Sequence, residues 1–215
     1  MTAGLVALSA IAAYLIGGLP FGYWFVRLTS GKDIRTMGSG NIGATNVYRT
    51  QGGKAGIIVL LLDMLKGFLA VLLAAWLAPN NAAGLALAAV FVMLGHSYPV
   101  FLRFKGGKAV ACFIGAFLYI APLALLVVLL IFLAVVALSK YISVASMVSA
   151  ALFPIFFWVI YQPARVLLIA SIFCALLIIF RHKDNIKRLW SGQENVFSFG
   201  GGSGRPPQRA RKGKA

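Results

Sequence analysis

Six apolar runs, residues 3–28, 55–78, 83–102, 110–138, 144–161 and 164–180, take up most of this chain. About 20 apolar residues are enough for a helix to cross the hydrocarbon core of a bilayer. Backbone inside that core must satisfy its own hydrogen bonds, which leaves helices or closed barrels. With 61% hydrophobic residues in a chain of 215, a soluble domain could not hide the excess. The expected fold is therefore all-α: a polytopic integral membrane helical bundle, one domain over 1–195 followed by a disordered basic tail, 196–215.

The charge pattern sets the number of crossings. Twenty Lys and Arg face only Asp33, Asp63, Asp184 and Glu194. In a soluble protein that imbalance would suggest nucleic acid; here the cations flank the apolar runs, so anionic lipid accounts for them and no nucleic acid is expected. They cluster at 32–54, 103–108, 140 and 181–188, whereas the connectors at 79–81 and 162–165 are nearly uncharged. All four clusters can share the cytoplasmic side only if 110–138 crosses twice. That run is 29 residues long and contains Ala121-Pro122, a natural break. The expectation is seven membrane segments, two of them short (about 11 and 16 residues), with the N-terminus outside and the C-terminus cytoplasmic. Cys112 and Cys174 read as buried free thiols. The Met1–Gly4 start carries no Lys or Arg and does not read as a cleaved signal. The tail from Gly200 to Ala215 is rich in Gly, Pro, Lys and Arg.

Under that topology every unusual polar cluster meets on one face. Gly38-Ser39-Gly40-Asn41-Ile42-Gly43-Ala44-Thr45-Asn46, closed by Arg49, offers N–H donors, hydroxyls, amides and a guanidinium, groups suited to phosphate. Its glycines fit a dinucleotide fingerprint, but no strand precedes them. Gly106-Gly107-Lys108 resembles half a phosphate loop at the start of a helix, following His96. Lys140 to Ser146 forms an interfacial cap containing Ser143. His182 and Asn185 lie three apart and share a helix face, as do Ile186, Leu189 and Trp190. Asp63 and Lys66, also three apart, put an ionisable pair inside an apolar span. Two histidines and four dispersed acids give no metal-ligand spacing, so no metal and no cofactor is expected.

The stretches GSGNIGATNVYR, DMLKGF, GHSYPVFLRFKGGK, KYISVAS and RHKDNIKRLWSGQE, in this order, resemble the bacterial acyl-phosphate-dependent glycerol-3-phosphate acyltransferases, the PlsY family. The resemblance covers about residues 1–195. It implies a seven-helix enzyme of the bacterial inner membrane with its active site on the cytoplasmic side. Such an enzyme moves an acyl chain from acyl phosphate to the 1-hydroxyl of glycerol 3-phosphate, giving lysophosphatidic acid and phosphate at the start of phospholipid synthesis. It implies a monomer, association with the enzyme that forms acyl phosphate, and membrane lipid as surroundings. Position by position it points to His96, Lys108, His182 and Asn185 as catalytic. It points to Ser39, Thr45, Asn46, Arg49, Lys66 and Ser143 as substrate-binding, and Gly40, Asn41, Gly106 and Gly107 join them as phosphate-binding. Ala109 and Cys112 stand where the family commonly has Gly and Thr, and Lys140 where it often has Arg. A dense cationic site depresses histidine basicity, which favours the donor's own phosphate as proton acceptor. The alternative is a phosphate or organophosphate transporter; the absence of an inverted repeat weighs against it.

Overall fold

The computed structural model describes residues 2–197, and all of its regular elements are helical. The first apolar run does not form one continuous helix. It forms α1 (Thr2–Gly18) and α2 (Phe21–Ser30), separated at Leu19-Pro20. Pro20 has no N–H to donate and restricts Leu19, so the ladder breaks there. Gly31, in the left-handed region at φ 68°, stops α2. A 3-10 turn at Ile34–Thr36 and the short α3 (Ala44–Gln51) lead into α4 (Gly53–Leu77). α5 (Ala82–Ser97) begins at Asn81, whose side chain accepts the Gly84 N–H at 2.9 Å.

The run 110–138 breaks where expected. α6 (Val110–Ile120) has 11 residues, and α7 (Pro122–Ser139) starts with Pro122 and has 18, two more than anticipated. α8 (Ile142–Tyr161), α9 (Arg165–Arg181) and α10 (Lys183–Trp190) complete the chain, with a 50° bend between α9 and α10. Among the described residues, five stretches can cross a membrane by length and composition, six if α9 and α10 count as one, with α6 as a further short apolar helix. Trp76, Leu130, Trp158 and Ile169 are each more than half exposed, as a lipid-facing surface requires.

Small residues bring the helices close. A Cβ added at Gly17 would stand 2.1 Å from the Val92 carbonyl oxygen, and one at Gly95 2.1 Å from that of Tyr14, so α1 and α5 pack backbone to backbone. Gly67 and Gly115 join α4 to α6 in the same way. Phe113 and Phe117 of α6 interlock with Phe153 and Phe157 of α8, with centroids of Phe117 and Phe153 4.6 Å apart.

Three hairpins follow. α4–α5, α6–α7 and α8–α9 each leave one end of the bundle and return to it, because Ser39 and Arg49 before α4, His96 at the end of α5, Lys108 before α6, Ser143 at the start of α8 and His182 after α9 all line one cavity there. At the opposite end the Leu123 N–H donates to the Tyr161 hydroxyl at 3.0 Å, tying the α6–α7 break to the end of α8. Residues 196 and 197, expected in the tail, are part of the fold: the Phe197 N–H donates to the Lys140 carbonyl at 2.8 Å. The basic tail itself lies outside the described residues.

Candidate active site

The glycine-rich loop is shaped from within. Ile34, Ile42 and Val47, each at most 3% exposed, pack with Val26 and Val59 in a small core that fixes the loop against α2 and α4. Above it, the buried Asn46 amide donates to the carbonyls of Asn41 (2.8 Å) and Met37 (3.0 Å), while its oxygen accepts the Ser39 N–H at 2.9 Å. Asn41 in turn accepts the Gly43 N–H at 2.8 Å, and the Gly40 N–H goes to Met37. Gly38 has φ 55°, and a Cβ there would lie 2.3 Å from the Asn46 oxygen. Asn46, expected to bind phosphate, therefore spends its side chain on the loop. Gly40 contributes shape in place of a free amide. Facing the cavity from this loop are the Ser39 and Thr45 hydroxyls, Asn41, whose side-chain oxygen is taken by Gly43, and Arg49, whose guanidinium has no hydrogen-bond partner among the described residues.

The second loop is clamped from two sides. Gly107 donates its N–H to the His96 carbonyl at 3.0 Å, and a Cβ on Gly107 would lie 2.1 Å from His96 Nε2. Arg181 donates Nε to the Gly107 carbonyl and Nη2 to the Gly106 carbonyl, both at 3.0 Å, and lies 4.9 Å over the Tyr98 ring. The two carbonyls are thereby drawn toward Arg181. The Gly107 amide is not free for an anion, contrary to the sequence expectation; Lys108 carries the charge to the cavity. His96 lines the cavity and braces this loop at the same time.

Lys108 donates to the Asn185 oxygen. The Asn185 amide donates to Glu194 Oε1 at 2.7 Å, Ser143 donates to the same oxygen at 3.0 Å, and Arg188 Nε donates to Oε2 at 2.8 Å. Glu194 is only 2% exposed and anchors the whole network. Burial, with help from the neighbouring Arg188 charge, brings the Lys108 ammonium down to about 8. Burial also pulls Arg49 below its ordinary value, against the attraction of Glu194. His182 sits at the α9–α10 bend with Nδ1 2.8 Å from the Ile178 carbonyl. A carbonyl can only accept, so Nδ1 carries the hydrogen and Nε2 keeps its lone pair. Burial and then the Lys108 charge push His182 down to about 4, which leaves a neutral imidazole at pH 7.

Lys66 does not line the cavity. Its ammonium is 2.8 Å from Asp63 Oδ1 and donates to the Leu19 carbonyl at 2.7 Å, one of the groups released by the break before Pro20. It neutralises Asp63 and caps α1, which corrects its assignment to phosphate. Asp63, His96 and Cys112 bring three donor atoms within 4.8 Å of one another, but the Lys66 ammonium already compensates the carboxylate.

One cavity of about 520 Å³ thus gathers all four polar clusters. Its far part is apolar, walled by Leu60, Met64, Ile114, Leu125, Leu129 and Phe132 from α4, α6 and α7. Three contributors were missed from sequence. Arg181 and Glu194 looked like two more residues of a charged, interfacial stretch, and Phe197, which also lines the cavity, like tail. Only the Gly-x-Glu pattern after α10 could have pointed to Glu194.

A family model described as glycerol-3-phosphate acyltransferase matches residues 7–192. A glycerol-3-phosphate acyltransferase of Geotalea daltonii is 46% identical over 204 residues, covering 92% of this chain and 99% of its own length. One from Desulforamulus reducens is 47% identical over 184 residues, 86% of this chain and 91% of its own. Among solved structures, the glycerol 3-phosphate form of PlsY (YgiH), an integral membrane glycerol 3-phosphate acyltransferase, aligns with TM-score 0.84 at 38% identity over 90% of this chain and 96% of that one. Its lysophosphatidic acid form aligns at 0.81 and 36% identity, over 90% and 95%.

Proposed function

This chain belongs to the glycerol-3-phosphate acyltransferase family, and from that premise we propose that it transfers an acyl chain from acyl phosphate to the 1-hydroxyl of glycerol 3-phosphate. The observation that carries the reading is the two-part cavity, with a cationic, hydroxyl-lined end and an apolar end between α4, α6 and α7. A phosphate needs the first and a fatty chain the second, and an acyl phosphate has both. Solved relatives in glycerol 3-phosphate and lysophosphatidic acid forms support the acceptor and product.

Arg49 and Lys108 neutralise the phosphates, with the Ser39 and Thr45 hydroxyls as further donors. Asn185 and Glu194 hold Lys108 in position, and Ser143 is bound to the same carboxylate. The 1-hydroxyl oxygen attacks the acyl carbon, the carbon–oxygen bond to phosphate breaks, and phosphate leaves with that electron pair. The hydroxyl proton ends on the departing phosphate. His182, neutral and with Nε2 unprotonated, accepts a hydrogen bond from the attacking hydroxyl and aims it; at about 4 it is too weak a base to take the proton outright. Donors fixed near the acyl oxygen stabilise the charge that develops there. The active site faces the cytoplasm and seven segments cross the bacterial inner membrane. The test is phosphate release from purified protein in detergent given palmitoyl phosphate. Release that requires glycerol 3-phosphate and equals lysophosphatidic acid formed supports the reading. A folded protein that performs no acyl transfer overturns it and returns the weight to transport.

A further inference from the structure

A second cavity, of about 420 Å³, lies at the same end of the bundle and shares no lining residue with the first. Tyr23, Trp24 and Arg35 form one side, and Phe101, Arg103 and Lys105 the other. The loop that carries the second side is tightly made. Phe104 donates its N–H to Pro99 at 2.9 Å, and Arg103 and Phe104 both have positive φ, 53° and 62°. Consecutive non-glycine residues in that region are costly and are held only where the surroundings demand it. Arg35 is occupied, with Asp33 at 2.6 Å and its guanidinium 5.1 Å over the Tyr23 ring. Arg103 and Lys105 are not; among the described residues neither side chain has a hydrogen-bond or ion-pair partner. The groove thus carries two uncompensated cations between aromatic walls.

We propose that this groove binds the headgroup of an anionic phospholipid, with the phosphate between Arg103 and Lys105. Charge complementarity selects an anion, and the walls select a lipid. Trp24 is 41% exposed and Phe101 53%, and with Tyr23 they give the groove an aromatic rim. Such aromatic rings belong at the headgroup level of a membrane, where acyl chains can lie along them. A small soluble phosphate would leave that rim without an occupant. The site differs from general attraction to a negative surface in being a built recess on three elements, α2, the 3-10 turn at Ile34–Thr36 and the 99–105 loop.

The test titrates the purified full-length protein in a neutral detergent with short-chain phosphatidylglycerol, short-chain phosphatidylcholine and glycerol 3-phosphate, counting bound molecules by native mass spectrometry. Phosphatidylglycerol should bind at least tenfold more tightly than phosphatidylcholine. Arg103→Gln or Lys105→Gln should weaken it about fivefold each and the pair about thirtyfold, as two headgroup-level cations would. Lys32→Gln/Lys54→Gln removes two exposed cations outside the groove and should change binding less than twofold. Arg49→Ala should weaken glycerol 3-phosphate and leave phosphatidylglycerol unchanged. Trp24→Phe, on the other wall, is an independent variant: it should abolish the phosphatidylglycerol-dependent change in tryptophan fluorescence. Equal losses in the Lys32/Lys54 control, loss of phosphatidylglycerol binding in Arg49→Ala, or displacement of phosphatidylglycerol by glycerol 3-phosphate would each overturn the proposal.

Discussion

Arg49 and Lys108 line the same cavity but differ in what holds them. Arg49 has no fixed partner among the described residues and presents a planar fork, so it can grip two phosphate oxygens at once. Arg49→Ala should lower kcat/KM by about 10²–10³, the usual cost of losing one charge-stabilising donor. Arg49→Lys should recover only part of it, since a point charge cannot bind bidentately. Lys108 is held at its Asn185 and Glu194 anchor and is charged only below about pH 8. The free enzyme should therefore lose affinity for glycerol 3-phosphate as pH rises through 8, seen as a rising KM, and Lys108→Arg should shift that limb to higher pH. Initial rates from pH 6 to 10 decide it; an alkaline limb unmoved in Lys108→Arg assigns the titration to another group. His182 titrates far below this range, so His182→Asn should lower kcat without moving the limb near 8.

At the scale of helices and loops, the breaks that prolines make were only partly legible. Ala121-Pro122 stood out because the run was too long for one crossing and charge parity demanded a turn. Leu19-Pro20 sits in a run of acceptable length, so nothing forced a break, and the partner that tolerates it, Lys66, is far away in sequence. The same non-locality hid Asn46 and Glu194. The residue types in their loops suggested phosphate chemistry, but whether an amide faces a ligand or its own backbone depends on the folded path, and sequence gave the cluster without the direction. The four clusters and their convergence were legible because charge position reports topology. The bridging role of Lys66 makes a prediction. Lys66→Met should destabilise the protein by about 3–5 kcal/mol, because Asp63 would be left as an uncompensated buried charge. Asp63→Asn/Lys66→Met should restore most of the thermal stability, measured as melting in detergent. If the double variant melts no higher than the single one, the cap on Leu19 matters more than the charge on Asp63.

The described chain is three helical hairpins hung from the end that holds the cavity, with α1 entering from the other: Gly84 of α5 lies beside both Val6 and the Ala78–Asn81 turn. Because the four charged loops line or flank one cavity, membrane orientation becomes a single choice for all of them. Under the proposed function that choice is the cytoplasmic side, as the positive-inside rule favours. Asn80 and Gln162, both exposed at the far end, should then face outward, whereas Lys32 and Lys187, both exposed beside the cavity, should face inward. Cys112 and Cys174 are buried, so single cysteines introduced at these four positions can be read against a quiet background. A membrane-impermeant maleimide applied to intact spheroplasts should label positions 80 and 162 only, and should reach 32 and 187 once the membrane is opened. The informative pair is 80 and 162, because α6 and α7 lie between them. If 110–138 crossed once, these two turns would fall on opposite sides and only one would react. Labelling of both from outside requires the short α6–α7 hairpin to return to the catalytic side, which is what joins Lys108 to Asn185 in one site.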